Sequence, residues 1–105
     1  MSQEKSIHSR DQLVAILRAH EVELRAAGIR ALTVFGSVAR GEDGPESDVD
    51  LSVRLDPRAH VGLFGFVALQ LRLSDLVGRP VQLLPEPVKN PRLRVSLDRD
   101  GQRVL

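Results

Sequence analysis

Residues 48–54, Asp-Val-Asp-Leu-Ser-Val-Arg, alternate polar and apolar without a break. Strand side chains repeat every second residue, so Val49, Leu51 and Val53 take one face while Asp48, Asp50, Ser52 and Arg54 take the other. The pattern predicts a strand with one face on a core and a polar face left open. Two carboxylates then point the same way. Ahead of it, residues 30–35 (Arg-Ala-Leu-Thr-Val-Phe) read as a second short strand that ends in a turn at Gly36-Ser37. A brief helical stretch over 38–40 and a loop over 41–47 lead from the turn to the carboxylates.

The rest of the chain reads as helices and one more strand. Residues 1–8 read as a loose tail, and 9–105 as a single domain. Ser9 and Gln12 have the spacing of a capping box. Leu13, Ile16, Leu17, Leu24 and Ala27 continue at helical spacing to a stop at Gly28. Residues 60–77 carry another helix pattern stopped by Gly78, and residues 80–84 a third strand broken by Pro85 and Pro87. Asn90-Pro91 starts a short helix to about Asp98, and an extended piece follows around 102–105. The order α-β-α-β-α-β-α is that of a small α/β (α+β) domain.

Composition narrows the function classes. The 105 residues suit one domain with one core. The 15 basic and 14 acidic residues leave a net charge of +1, which argues against a DNA-binding face. The chain has no cysteine, which excludes disulfides and thiolate metal sites and fits a cytoplasmic location. No run is long enough to span a bilayer, and the polar N-terminus lacks a signal peptide's apolar stretch. His8, His20 and His60 show no metal-ligand spacing, and His20 falls on the apolar stripe of the first helix. Arg92, Arg94, Arg99 and Arg103 read as a solvated face that could also meet an acidic partner.

The turn and the paired carboxylates together suggest phosphate chemistry. Gly36 lets a phosphate approach the backbone. Ser37 offers a hydroxyl and an N–H at the start of a helical turn. Arg40, one turn on, could neutralise nucleotide charge. Asp48 and Asp50 can share one or two Mg²⁺ ions, which typically take one or two carboxylates and complete their shell with phosphate oxygens and water. A Walker-type loop is excluded, because no Gly-Lys-Ser/Thr follows Gly36.

Gly36-Ser37-X-Ala39-Arg40-Gly41, five residues, then Ser47-Asp48-X-Asp50-Leu51, resembles the signature of the minimal nucleotidyltransferases of the DNA polymerase β-like superfamily. The helix around Leu63-Phe64 to Leu76, then Gly78-Arg79-Pro80-Val81, is similar to the family's helix and third strand. The resemblance spans most of residues 10–105. It implies a small mixed sheet flanked by helices, Mg²⁺ as cofactor and ATP or another nucleoside triphosphate as substrate. It places the triphosphate at Gly36 and Ser37 and the metal at Asp48 and Asp50. Many such proteins are similar to antitoxins paired with a helical HEPN-domain ribonuclease toxin. Some of those transfer AMP to a tyrosine of the toxin.

The chain departs from that pattern at one place. The family usually carries a third carboxylate on the third strand, in Val-Asp-Leu, where this sequence has Val81-Gln82-Leu83. With Val81 and Leu83 in the core, Gln82 would face the site, and an amide is no general base. Glu86 lies four residues on, roughly 13 Å along an extended chain at ~3.3 Å per residue, and only a bend at Pro85 would return it. Glu46 and Asp43 are loop alternatives. Two functions follow: a transferase whose acceptor is deprotonated by another group or by its own protein, and a degenerate antitoxin that still binds nucleotide, or only its partner, and acts by contact. Transfer to a small molecule is a third reading, for which the chain is short.

The 61–77 helix is more apolar than one buried stripe requires. Leu63, Phe66, Val67, Leu73, Leu76 and Val77 are assigned to the core, while Phe64, Ala68 and Leu71 extend apolar character round the helix. The surplus reads as a partner or homo-oligomer surface, or as a face covered by the last helix or the tail.

Overall fold

The computed structural model describes residues 9–44 and 47–105, so the expected tail over 1–8 lies outside the described residues. Helix α1 (Arg10–Ala19) opens on the expected capping box: Ser9 N donates to Gln12 Oε1 at 2.8 Å, and Gln12 N to Ser9 Oγ at 3.3 Å. The single helix expected to run to Gly28 is instead two. His20 leaves helical geometry (φ −107°, ψ 20°), its Nδ1 lies 3.0 Å from Ile16 O, and α2 (Glu21–Ala26) restarts beyond it. Leu24 of α2 is fully buried, and Glu23 pairs with Arg72 at 2.6 and 2.9 Å.

The sheet has four strands in the order β3-β2-β1-β4. Strand β1 (Ile29–Phe35) pairs antiparallel with β2 (Val49–Leu55) and with the two-residue β4 (Gln102–Arg103). Strand β3 (Val81–Pro85) runs parallel to β2 after a crossover through α4 (Leu63–Val77). The sheet is therefore mixed and flanked by helices. Leu32, Val34, Leu51, Val53 and Leu83 join Leu13, Leu17, Leu69 and Leu73 in one core. Asp50, Ser52 and Gln82 belong to the other set of the alternation, on the sheet face overlooked by α5 (Pro91–Asp100). Helix α5 starts where expected, with Asn90 Oδ1 accepting from Arg92 N and Leu93 N at 2.9 and 3.2 Å.

Helix α4 packs in a different phase from the one expected. A 3₁₀ turn over Pro57–Ala59 precedes it, and Gly62 is its N-cap. Leu69, Leu73 and Val77 are buried, with Phe66 and Leu76 partly so. Leu63 and Val67, assigned to the core, are 77% and 44% exposed. At about 100° per residue, Val67 points roughly 130° away from the midline of the buried stripe, onto the outer face with Phe64 and Leu71. Helix α5 packs on β1 instead of covering that outer face. Ser74 Oγ and Gln70 Oε1 of α4 accept from Val81 N and Leu83 N of β3, each at 3.0 Å. Among the described residues no helix is long and apolar enough to cross a membrane.

Candidate active site

The site is assembled where β1 ends beside the start of β2. Phe35 stands opposite Asp50 in the ladder, which sets Gly36 directly against the Asp50 carboxyl. Gly36 has φ 77° and ψ −152°, a conformation essentially confined to glycine. A Cβ there would strike Asp50 Oδ2 and lie 3.3 Å from its Cγ. Gly36 is thus required both by its own backbone and by the carboxylate it touches. Gly36→Ala is expected to destabilise the fold by about 1–3 kcal/mol and to push Asp50 off its position. An unchanged urea-unfolding midpoint would refute this.

Ser37 opens the four-residue helix α3 (Ser37–Arg40). Its carbonyl accepts from Glu42 N at 2.9 Å, and Gly36 O accepts from Arg40 N at 3.1 Å. Arg10 Nη1 holds Ala39 O at 3.0 Å, tying the turn to α1. Arg40 borders the site, but its guanidinium is engaged within the fold: Nε with Glu42 Oε1 at 2.9 Å and Nη1 with Asp100 Oδ2 at 3.0 Å. It fastens α3 to the end of α5.

Asp48 is exposed and Asp50 half-buried, on either side of the fully buried Val49. Burial first, and the neighbouring Asp48 charge second, push the Asp50 carboxyl above its ordinary value, with the more distant Arg40 opposing. Asp50 has no ion pair or hydrogen-bonding side chain among the described residues. Two neighbouring carboxylates supply the hard oxygen donors that a divalent cation such as Mg²⁺ takes. The donor set therefore fits Mg²⁺ with two protein carboxylates. Among the described residues no third His, Cys, Asp or Glu joins the group.

Gln82 stands level with Asp50 in the parallel ladder and is exposed, between the buried Val81 and Leu83. Gln82 thus shares the sheet face of Asp50. No bend at Pro85 returns Glu86 to Gln82: Glu86 N donates to Val53 O at 2.9 Å, continuing the pairing of β3 with β2. Its Oε2 accepts from Ser52 Oγ at 3.1 Å. Ser52 is one inward step, two residues and about 7 Å, from Asp50, so the carboxylate settles deeper on the same face and not beside Gln82. Asp43 is committed elsewhere, and Glu46 lies outside the described residues.

Arg79 has a role that helix and strand patterning did not reveal. Its side chain is 4% exposed, and its Nη1 binds Asp43 Oδ2 at 3.0 Å. Its Nη2 donates to Ser47 O at 2.8 Å and Gly44 O at 3.3 Å. The guanidinium gathers the two described ends of the loop immediately before Asp48. A second unexpected feature is the wall opposite Ser37. Arg92, Leu93, Ser96 and Arg99 of α5 face Gly36, Ser37 and Asp50 across a cleft of about 530 Å³. Spacing held the signal: positions 92, 96 and 99 share one helical stripe.

A family model described as Nucleotidyltransferase domain matches residues 17–103. The chain is 40% identical over 75 residues to the protein adenylyltransferase MntA of Thermococcus cleftensis, covering 70% of this chain and 74% of the relative. It is similar to a solved structure proposed as a minimal nucleotidyltransferase, with TM-score 0.74 and 33% identity over 93% of this chain and 98% of that one. A complex of a tri-AMPylated Shewanella oneidensis HEPN toxin with an MNT antitoxin shares the fold, with TM-score 0.60 and 16% identity over 88% of this chain and 71% of that one.

Proposed function

The chain belongs to the nucleotidyltransferase domain family, and from that premise we propose that it moves AMP from ATP, with Mg²⁺, to a hydroxyl of a partner protein of the HEPN toxin type. The carrying observation is Asp50, wedged against Gly36 at the start of the Ser37 turn with the Asp48 charge nearby. The name of the Thermococcus cleftensis relative supports AMP as the transferred group, and the modified toxin of the Shewanella oneidensis complex supports the partner class.

Each residue has a definite task in this reading. Gly36 leaves the backbone open to a phosphate, and Ser37 offers its hydroxyl and N–H to it. Asp48 and Asp50 hold the metal. When bound, Mg²⁺ neutralises phosphate charge and assists the attacking and leaving oxygens. The acceptor oxygen forms a bond to the α-phosphorus, the bond to pyrophosphate breaks, and the acceptor proton departs. The Gln82 amide can orient the acceptor hydroxyl by hydrogen bonding but cannot take its proton. The base is therefore supplied by the acceptor protein or by solvent.

Gln82 also favours a second reading: an antitoxin that neutralises its partner by contact alone, with the carboxylates kept as a remnant or a nucleotide sensor. Intact-mass spectrometry of the helical partner, incubated with this chain, ATP and Mg²⁺, separates the two. The expected result is AMP-sized additions that vanish with the Asp48→Asn, Asp50→Asn double substitution. Gln82→Asp is expected to speed transfer by about 10²-fold, the low end for an added general base, at constant nucleotide affinity. A stable complex without added mass would establish the contact antitoxin.

A further inference from the structure

We infer that the α5 stripe Arg92-Ser96-Arg99 is the second wall of the nucleotide site and holds the pyrophosphate portion of the triphosphate. The inference rests on the proposed nucleotidyl transfer and names the residues that complete its substrate site. Three observations carry it.

The first is position. At about 100° per residue, positions 92, 96 and 99 fall within roughly 60° of one another on α5. That stripe fronts the cleft whose opposite wall is Gly36, Ser37 and Asp50.

The second is charge supply. A triphosphate lying along the Ser37 turn brings about four negative charges at neutral pH, beside two carboxylates already there. One Mg²⁺ offsets only part of this. Arg40 is held on two sides by Glu42 and Asp100. Arg92 has no ion pair among the described residues, and Arg99 shares only Asp100, at 3.1 Å. Of the cations that line the cleft, Arg92 is thus uncommitted, and Arg99 is held by Asp100 alone, with Nε 3.2 and 3.1 Å from its two carboxylate oxygens. Arg94, off the stripe, lies 3.9 Å from Asp98.

The third is the state of the helix start. Asn90 Oδ1 already occupies the N–H groups of Arg92 and Leu93. Anion binding on this wall therefore falls to side chains. Two guanidiniums and a hydroxyl on one stripe supply planar forks and a single donor, which suit the many oxygens of a pyrophosphate.

The test is calorimetric titration of the full chain, in Mg²⁺, with α,β-methylene-ATP, pyrophosphate and AMP. Arg92→Ala, Arg99→Ala together should weaken the ATP analogue and pyrophosphate roughly 10- to 100-fold, the loss expected for two charge-assisted contacts, and leave AMP within about 3-fold. Arg92→Ala alone, which breaks no ion pair, should move both ligands in the same direction by a smaller factor. Arg94→Ala should change nothing. Equal binding of the ATP analogue by the parent and by the folded double variant overturns the inference while the nucleotide reading stands. Normal nucleotide binding with a raised KM for the protein acceptor alone also overturns it, and assigns the stripe to the acceptor. A parent that binds neither the analogue nor pyrophosphate fails the nucleotide reading itself.

Discussion

Asp50→Asn is expected to lower the proposed AMP transfer by on the order of 10³-fold, the loss expected when a metal-assisted step forfeits several kcal/mol of charge stabilisation, yet to raise the stability of the metal-free protein. The two effects have one cause. Asp50 is held half-buried against Gly36 with the Asp48 charge beside it, and both conditions favour the protonated form. Its folded-state pKa lies above the unfolded value near 3.8, so the native state binds the proton more tightly than the unfolded chain does. Ionising Asp50 therefore costs stability. That cost is absent below pH 3.8, grows as pH rises through the folded pKa, and is complete above it. Asn carries no charge at any pH, so its advantage should be nil near the low end of that window and largest at neutrality. Thermal melts of parent and variant in EDTA, taken across the window, check the sign. A variant less stable at neutral pH than in acid, relative to the parent, would contradict this account.

Arg79→Ala should cost about 3 kcal/mol, the lower end for removing one partner of a buried ion pair. For a domain of this size that is a fall in Tm of roughly 12–24 °C. The substitution strands the Asp43 carboxylate, which is 14% exposed, and removes the donors of the Gly44 and Ser47 carbonyls. Arg79→Lys should recover little, because one ammonium cannot reproduce a fork that reaches a carboxylate and two carbonyls. Since Ser47 adjoins Asp48, Arg79→Lys should also raise the Mg²⁺ concentration needed for half-maximal nucleotide binding. Urea unfolding read beside a Mg²⁺ titration measures both. A lysine variant with parental stability and parental metal demand would exclude this role for Arg79.

Strand β2 was legible because the alternation over residues 48–54 spans seven residues, although the strand begins at Val49 and carries only the second carboxylate, Asp50. The caps at Ser9 and Asn90 were legible because capping is local chemistry over three or four residues. The exposed position of Gln82 followed from the same alternation in β3. What the sequence hid was set by distant contacts. No Gly or Pro marks the break at His20. Leu63 and Val67 have the spacing of core residues, but the sheet selects the stripe centred near Leu69 and Leu73. Arg79 carried no local signal of its role, which exists only once the loop folds over it. Arg92 and Arg99 were assigned to solvent because nothing local tells which side of α5 looks across at Ser37. Glu86 meets Ser52 because pairing with β2 continues past Pro85, where the two prolines read as a strand break.

The side-chain caps on β3 bear on how a partner can be chosen. Of the three backbone positions that look outward from that strand, Val81 and Leu83 have their N–H groups occupied by Ser74 and Gln70, and Pro85 has none to give. At the opposite margin β4 is only two residues long. A visitor that recruits by adding a strand finds no free N–H at the β3 edge to pair with, and main-chain pairing is the mode of contact most indifferent to sequence. Recognition must then run through side chains on helices, where one altered residue on either protein spoils the match. A fold closed in this manner would choose a partner by side-chain identity rather than by lending a strand edge.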